Sequence, residues 1–260
     1  MRNQTPTPAS AQQCGRFFWR RADGAIEVIH DLDDRSISDS TMIAGLTPLV
    51  LSGVLDGQDA FEQAAVGVIE TSTQRPADGW AAFYDNSVTE LTGGSSPFSP
   101  IHRRARSLVA GDSVLEVGCC FGFLALELAD DGHDVSACDI TPGAIDHLRV
   151  QARRRGVRVH AVVGDATDLP FADDSTDTVT LIHLIEHLDE RDAVAAIAQA
   201  LRVARRRVVV AVPFEDEPTE HYGHLVRLTT DDLHRWAAQA DHAGAEVFTD
   251  HGGWLVLTPA

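Results

Sequence analysis

Positive charge is scarce in this sequence. Arginine and lysine together number 21 against 39 aspartates and glutamates, a formal net charge of −18. Such a surface repels phosphate backbones and anionic lipid, so no nucleic-acid or membrane partner is expected. No apolar run approaches the ~18 residues that a membrane span needs. The start, Met1-Arg2-Asn3-Gln4, has no apolar stretch after it, so no secretory leader is expected and the cytoplasm is the expected compartment. Cysteine is sparse too: four residues, at 14, 119, 120 and 138, with no Cys-x-x-Cys spacing. A bridge between neighbours 119 and 120 would be strained, and the four read as small buried hydrophobes. Gly-Lys-Ser/Thr is missing, which excludes a phosphate-binding P-loop.

The 260 residues allow one large domain or one and a half. Residues 1–15, rich in Pro, Thr, Gln and Ser, are expected to be disordered. Phe17–Arg21 and Ala25–Asp31 flank Asp23-Gly24, a hairpin signal. Thr41–Val54 and Asp59–Thr71 read as helices divided by Asp56-Gly57. Residues 16–75 thus suggest an accessory α+β module, suited to shaping an acceptor pocket, recognising a partner or building a homodimer interface. Ala77–Leu91 reads as a helix with an aromatic face of Trp80, Phe83 and Tyr84. Ser99-Pro100 starts another, with a cap and a proline at its first position. Arg153–Arg155 with Arg158, and Arg205–Arg207, are placed at helix ends, where they complement the dipole.

The chain turns on residues 113–122. Val114, Leu115 and Val117 make a short apolar strand, Glu116 closes it, Gly118 and Gly122 bracket a turn, and a helical pattern follows. That geometry aims free backbone N–H groups at a ligand. A dinucleotide fingerprint is excluded, because its second and third glycines would be Cys120 and Phe123. Asp139 ends the next strand, about 20 positions past the first glycine, where a ribose diol would be held. Strands at 113–117, 134–139, 157–163, 177–183 and 206–213 alternate with helices at 121–130, 142–154, 191–204 and 230–243. Alternation of this kind implies a doubly wound parallel sheet. Glu246–Thr249 and Trp254–Thr258 then pair as a hairpin. The expected fold is α/β, a mostly parallel seven-stranded sheet with one antiparallel strand at its edge. The principal domain is expected at 76–260, with its core at 110–260.

An acid followed by Gly118, Cys120 and Gly122 at alternate positions resembles motif I of the class I S-adenosylmethionine (SAM)-dependent methyltransferases, which usually carry glycine where Cys120 stands. Leu169-Pro170-Phe171, Ile185-Glu186-His187-Leu188, Phe83-Tyr84-Asp85 and the antiparallel strand are similar to the same family. The resemblance implies SAM as cofactor and S-adenosylhomocysteine (SAH) as product. It implies that Glu116, Gly118, Cys120 and Gly122 hold the methionine part, Asp139 and Ile140 the ribose, and Asp165 and Ala166 the adenine. It places His183 at the cofactor as well.

An oxygen nucleophile of high pKa needs a base or a metal to remove its proton. His187 and His224 are the candidate bases. The principal expectation is no metal. The alternative is a divalent ion on His183, Glu186 and His187 with a histidine from 221–224. That set resembles the Glu-x-x-Glu-His site of some metal-dependent members, with His183 in place of the first glutamate. A further alternative has His187 only bracing the cofactor loop. Tyr84, Tyr222 and Arg227 are expected on the acceptor, and Glu215, Asp216 and Glu217 as a solvated loop. Gly223-His224-x-x-Arg227 resembles small-molecule and sugar O-methyltransferases. The Phe17–Arg21 hairpin, Phe83–Ser87, Glu116–Gly122 and Val212–His224 together resemble the mycofactocin-associated oligosaccharide methyltransferases of actinobacteria, which implies a glycan acceptor methylated on a glucose hydroxyl. Two rival readings are N- or C-methylation of an aromatic natural product, and a non-catalytic SAM-binding module.

Overall fold

The computed structural model describes residues 11–260. They form two compact units, 11–97 with 220–223, and 98–219 with 224–260. Of the tail expected to be disordered, 1–10 lie outside the described residues. Residues 12–14 correct it: they form strand β1 (Gln12–Cys14), paired antiparallel with β2 (Phe17–Ala22), Cys14 opposite Phe17. Gly15, at φ 58°, lets the chain reverse there. β3 (Ala25–Ile29) returns along β2 through Asp23 (φ 51°) and Gly24 (φ 83°), the two left-handed residues a tight Asp-Gly hairpin needs.

Three helices complete this unit: α1 (Asp39–Leu51), α2 (Gly57–Thr71) and α3 (Pro76–Gly93). Ser38 and Thr41 cap α1 reciprocally, each side chain accepting from the other's backbone N–H. The buried stripe Trp80, Phe83, Tyr84, Val88 and Leu91 recurs at helical spacing and packs α3 against α2 and α1. α3 therefore groups with the N-terminal helices, and the two compact units part at 97/98.

The second unit opens with α4 (Ser99–Ser107). Phe98 occupies its cap position and Ser99 is already helical, without a side-chain cap bond, so the expected serine cap is displaced by one residue. The chain then alternates as β4 (Ser113–Val117), α5 (Phe123–Asp130), β5 (Asp134–Asp139), α6 (Pro142–Arg155) and β6 (Val159–Val163). It continues through β7 (Thr176–Ile182), α7 (Glu190–Val203), β8 (Ala204–Val212), α8 (Thr230–Gln239), β9 (Gly244–Thr249) and β10 (Gly253–Thr258). The seven strands lie in the order β6-β5-β4-β7-β8-β10-β9. β10 runs antiparallel to both its neighbours. It stands one place in from the edge rather than at the edge, because Gly253–Leu257 are fully buried while β9 is half-exposed and can face solvent. Val179, Leu181, Val208, Val210, Leu255 and Leu257 from the sheet meet Ala196, Ile197, Leu233 and Trp236 from α7 and α8 in the core. Among the described residues no helix is long and apolar enough to cross a membrane.

Arg153, Arg154 and Arg155 close α6 as expected, before Gly156 at φ 74°. Arg205–Arg207 do not sit at a helix end but in β8. The Nε atoms of Arg205 and Arg206 lie 3.0 and 3.2 Å from Asp177 Oδ1, while Oδ2 accepts from the N–H groups of Asp112 and Ser113 at 3.0 and 3.2 Å. Arg205 and these donors hold the Asp177 carboxyl well below the usual carboxylate range and tie the entry of β4 to β7. Asp177→Ala strips two backbone donors of their acceptor and is expected to cost about 2–4 kcal/mol in urea unfolding at pH 7. Because the folded-state pKa is depressed, the deficit relative to wild type is full above the ordinary carboxylate value of 3.8 and shrinks as the pH falls below it.

Candidate active site

Each strand of the parallel set delivers one turn to the carboxyl edge of the sheet. After β4 the N–H groups of Gly118 and Cys119 both donate to the Cys138 carbonyl, at 2.8 and 3.1 Å. The chain then bends through Cys120 (φ 48°) to Gly122 (φ 71°), the cap residue of α5. Both glycines are required sterically as well as conformationally. A Cβ on Gly118 would stand 2.7 Å from Leu184 Cδ1, and one on Gly122 would stand 2.6 Å from Leu148 Cδ1. Cys119 and Cys138 are buried as expected, and burial pushes the Cys138 thiol up to about 11 and that of Cys119 further. Cys120 departs from the expectation, being exposed. No disulfide joins the four cysteines.

Asp139 ends β5 and accepts from two turns at once. Its Oδ2 takes the Cys120 N–H at 2.7 Å and its Oδ1 the Thr141 N–H at 2.8 Å. Its carbonyl takes the Gly164 N–H at 3.0 Å. Ile140 beside it is 69% exposed, an apolar side chain with no cover. Asp165 follows β6, exposed, with Oδ1 accepting from both the N–H and the hydroxyl of Thr167 at 2.8 Å. These bonds hold its carboxyl below the usual range. Ala166 and Phe171 pack half-buried on the core and Leu169 is buried, its N–H donating to Gln199. The turns holding Glu116–Gly122, Asp139–Ile140 and Asp165–Ala166 therefore follow three adjacent strands. They lie where strand order reverses, β5 and β6 on one side of β4 and β7 and β8 on the other.

Glu116 is buried, and its Oε2 has no hydrogen-bond partner. Burial pushes its carboxyl up to about 8, against the Ala125 N–H, and Asp139 adds to the rise. A buried acceptor without a donor is costly, and the ammonium of an amino-acid ligand would satisfy it. Together with the acceptors at Asp139 and the tight glycine turn, this suits the group the motif implies.

After β7 the chain carries a second cluster. His183 has a left-handed backbone (φ 53°), and its N–H donates to Ala211. Its Nε2 is buried without a partner, and burial, with His224, His102 and His187 nearby, pushes its pKa down to about 4. His183 and His187 do not share a helix face, because only Ile185–His187 form a single 3-10 turn. Glu186 on that turn is 1% exposed, with neither carboxylate oxygen meeting a donor. Burial raises its pKa to about 8, its own N–H opposing and Glu215 adding. The Leu225 N–H donates to the Glu186 carbonyl at 2.8 Å, which sets His224 beside the turn. The His187 and His224 rings meet edge-on with centroids 4.9 Å apart.

His224 Nδ1 lies 2.7 Å from Glu215 Oε2, and Thr219 donates to the other oxygen at 2.6 Å. Burial pushes Glu215 up, but these two partners outweigh it and hold the carboxyl below its usual range. Sequence reading missed Glu215, since an acid in a Glu-Asp-Glu run carries no local sign of its partner nine residues on. Arg227 donates from Nε to the Glu215 carbonyl at 3.1 Å. Ligand atoms of Glu186, His187 and His224 lie within 4.8 Å of one another, so three of the four residues of the alternative metal set come together, His224 being the histidine from 221–224, and His183 is not among them. Tyr84 and Tyr222 belong to the first unit. Tyr84 is fully buried edge-on to Phe83, and Tyr222 stands edge-on to Phe61.

Residues 114–207 match the family model described as a methyltransferase domain. A demethylmenaquinone methyltransferase of Beutenbergia cavernae is 40% identical over 103 residues, 39% of this chain and 40% of that protein. An O-methyltransferase of Penicillium expansum is 33% identical over 142 residues, 50% of this chain and 51% of that protein. The chain spans two fifths to half the length of these relatives. Among solved structures, a Pyrococcus horikoshii protein superposes with a TM-score of 0.55 at 18% identity, over 68% of this chain and 98% of that one. Magnesium protoporphyrin IX methyltransferase from Synechocystis with bound SAH gives 0.52 at 16% identity, over 81% and 100%. These superpositions show the fold. Residues 114–207 thus carry the match to a methyltransferase domain, in a fold shared with that SAH-bound methyltransferase.

Loss of the Asp139 carboxylate removes two backbone tethers and the acceptors suited to a ribose diol. Asp139→Ala is expected to weaken SAH binding by calorimetry about 10- to 100-fold, with Asp139→Asn in between.

Proposed function

We propose that this protein transfers the methyl group of SAM to a hydroxyl of a small or oligosaccharide metabolite. In this reading Glu116, Gly118, Cys120 and Gly122 hold the methionine part, Asp139 and Ile140 the ribose, and Asp165 and Ala166 the adenine, with His183 beside the donor. The observation that carries the acceptor chemistry is the His224–Glu215 pair at 2.7 Å, edge-on to His187. A carboxylate on Nδ1 fixes the tautomer and leaves Nε2 as the proton acceptor, as in hydrolytic triads.

The hydroxyl gives its proton to His224 while its oxygen forms the new bond to the methyl carbon. The sulfur–methyl bond breaks with its electron pair on sulfur, leaving SAH, a methyl ether and an imidazolium faced by Glu215. The sulfonium is already activated, so positioning supplies much of the rate and the base a further 10²–10⁴-fold or so. The whole-chain resemblance supports a glucose hydroxyl of a mycofactocin-type glycan as acceptor. Arg227 and the carboxylates beside it suit a hydroxyl-rich molecule. Methylation of an aromatic ring is the second reading, favoured by the relatives named demethylmenaquinone methyltransferase.

Transfer of labelled methyl from SAM to glucose-containing oligosaccharides tests this. His224→Ala is expected to lower kcat about 10²–10⁴-fold while SAH affinity stays unchanged. Labelling of aromatic acceptors alone, indifferent to His224→Ala, would overturn the O-methylation reading.

A further inference from the structure

We propose that Arg202, in the last turn of α7, is a positioning residue for the cofactor: with Gln199 it pre-forms the turn that carries Asp165 and Ala166. The proposal rests on the reading that these two residues meet the adenine, and it adds the side chain that sets their geometry.

Residues 164–175, between β6 and β7, lie in no helix and no strand beyond the single bridge from Asp165 to Asp168. Such a segment is ordered by the bonds it makes to its surroundings. One side chain spans it. Arg202 Nη1 donates to the Phe171 carbonyl at 2.8 Å and to Asp173 Oδ1 at 2.7 Å, and Nη2 donates to the Leu169 carbonyl at 3.0 Å. Nε and Nη2 also reach Gln199 Oε1, at 3.2 and 2.7 Å. That same oxygen accepts the Leu169 N–H at 3.1 Å. The Arg202 carbonyl takes the Asp174 N–H at 2.9 Å. Acceptors at Leu169, Phe171, Asp173 and Gln199 are met together by the rigid fork of a guanidinium. An ammonium, with three donors on one atom, cannot span them.

The strap bears on Asp165 from both sides. Pro170, between the two held carbonyls, closes on Gly164, where a Cβ would stand 2.9 Å from Pro170 Cδ. The Asp168 N–H donates to the Asp165 carbonyl at 3.1 Å. Thr167 gives both its N–H and its hydroxyl to Asp165 Oδ1, which leaves Oδ2 to receive an amino group. Asp165 is exposed, so its place is set by the turn rather than by packing. A turn ordered before the ligand arrives spares binding the entropy of ordering it. Arg202 therefore acts on the adenine through Asp165.

The test measures by calorimetry the affinities of SAH and of S-inosylhomocysteine, in which a carbonyl oxygen replaces the adenine amino group. A carboxylate accepts from the amino group and repels the carbonyl, so the wild type is expected to favour SAH about tenfold or more. Arg202→Met is expected to weaken SAH about three- to tenfold and to cut that preference at least about threefold, with Arg202→Lys in between. Both affinities are taken on one preparation, so loss of folded protein cancels in their ratio, and a side chain that served stability alone would leave the ratio at its wild-type value. Should Arg202→Met not fold, Arg202→Lys and Gln199→Leu make the comparison. The wild-type preference kept in full by every folded variant would overturn the proposal and leave the adenine reading standing. No preference in the wild type itself would overturn the adenine reading, and the proposal with it.

Discussion

Asp139 accepts three backbone N–H groups, two on its carboxylate and one on its carbonyl, and each comes from a different turn. The end of β5 thereby gathers the loops after β4, β5 and β6. A parallel sheet has no hairpins to tie such loops together, and every crossover leaves unpaired N–H groups at the carboxyl edge. A charged acceptor makes bonds about twice as strong as a neutral one. A carboxylate has roughly four lone-pair positions, so two tethers leave capacity for hydroxyls of a ligand. The same side chain can therefore shape the turn and receive a ribose. The glycines at 118 and 122 serve that constraint, because Leu184 and Leu148 close on them.

Much of this was legible in the sequence, for a physical reason. β4 and β5 occupy the residues expected of them because their apolar runs are short, largely buried and bounded by glycine or aspartate. What local pattern could not give was competition between distant partners. The aromatic face of α3 reads equally well as a lid or as packing, and no spacing in the sequence marks the contacts it makes with α1 and α2. Arg205–Arg207 follow a helix directly, yet the strand claims them because Asp177 stands across from it on β7. The antiparallel strand was expected at the edge, but its fully apolar Gly253–Leu257 run places it inside, with the more polar β9 outside.

The site divides along the same line. The half proposed to hold the cofactor lies in contiguous turns, and the spacing of Glu116, Gly118, Gly122, Asp139 and Asp165 is visible to the eye. The half proposed to meet the acceptor brings residues 183–187 beside His224 and Leu225, joined by one backbone bond and one ring contact that no spacing encodes. His183 looked like a partner of His187 at helical spacing. Its left-handed backbone breaks that relation and leaves His224 as the neighbour instead.

Hydrogen exchange of the wild-type protein with and without SAH tests the central claim most directly, that three consecutive strand ends close on one nucleoside. Slower exchange at 118–122, 139–141 and 164–167 together, at saturating SAH, is the expected result. Unchanged exchange at those turns, or protection confined to residues remote from them, would contradict it.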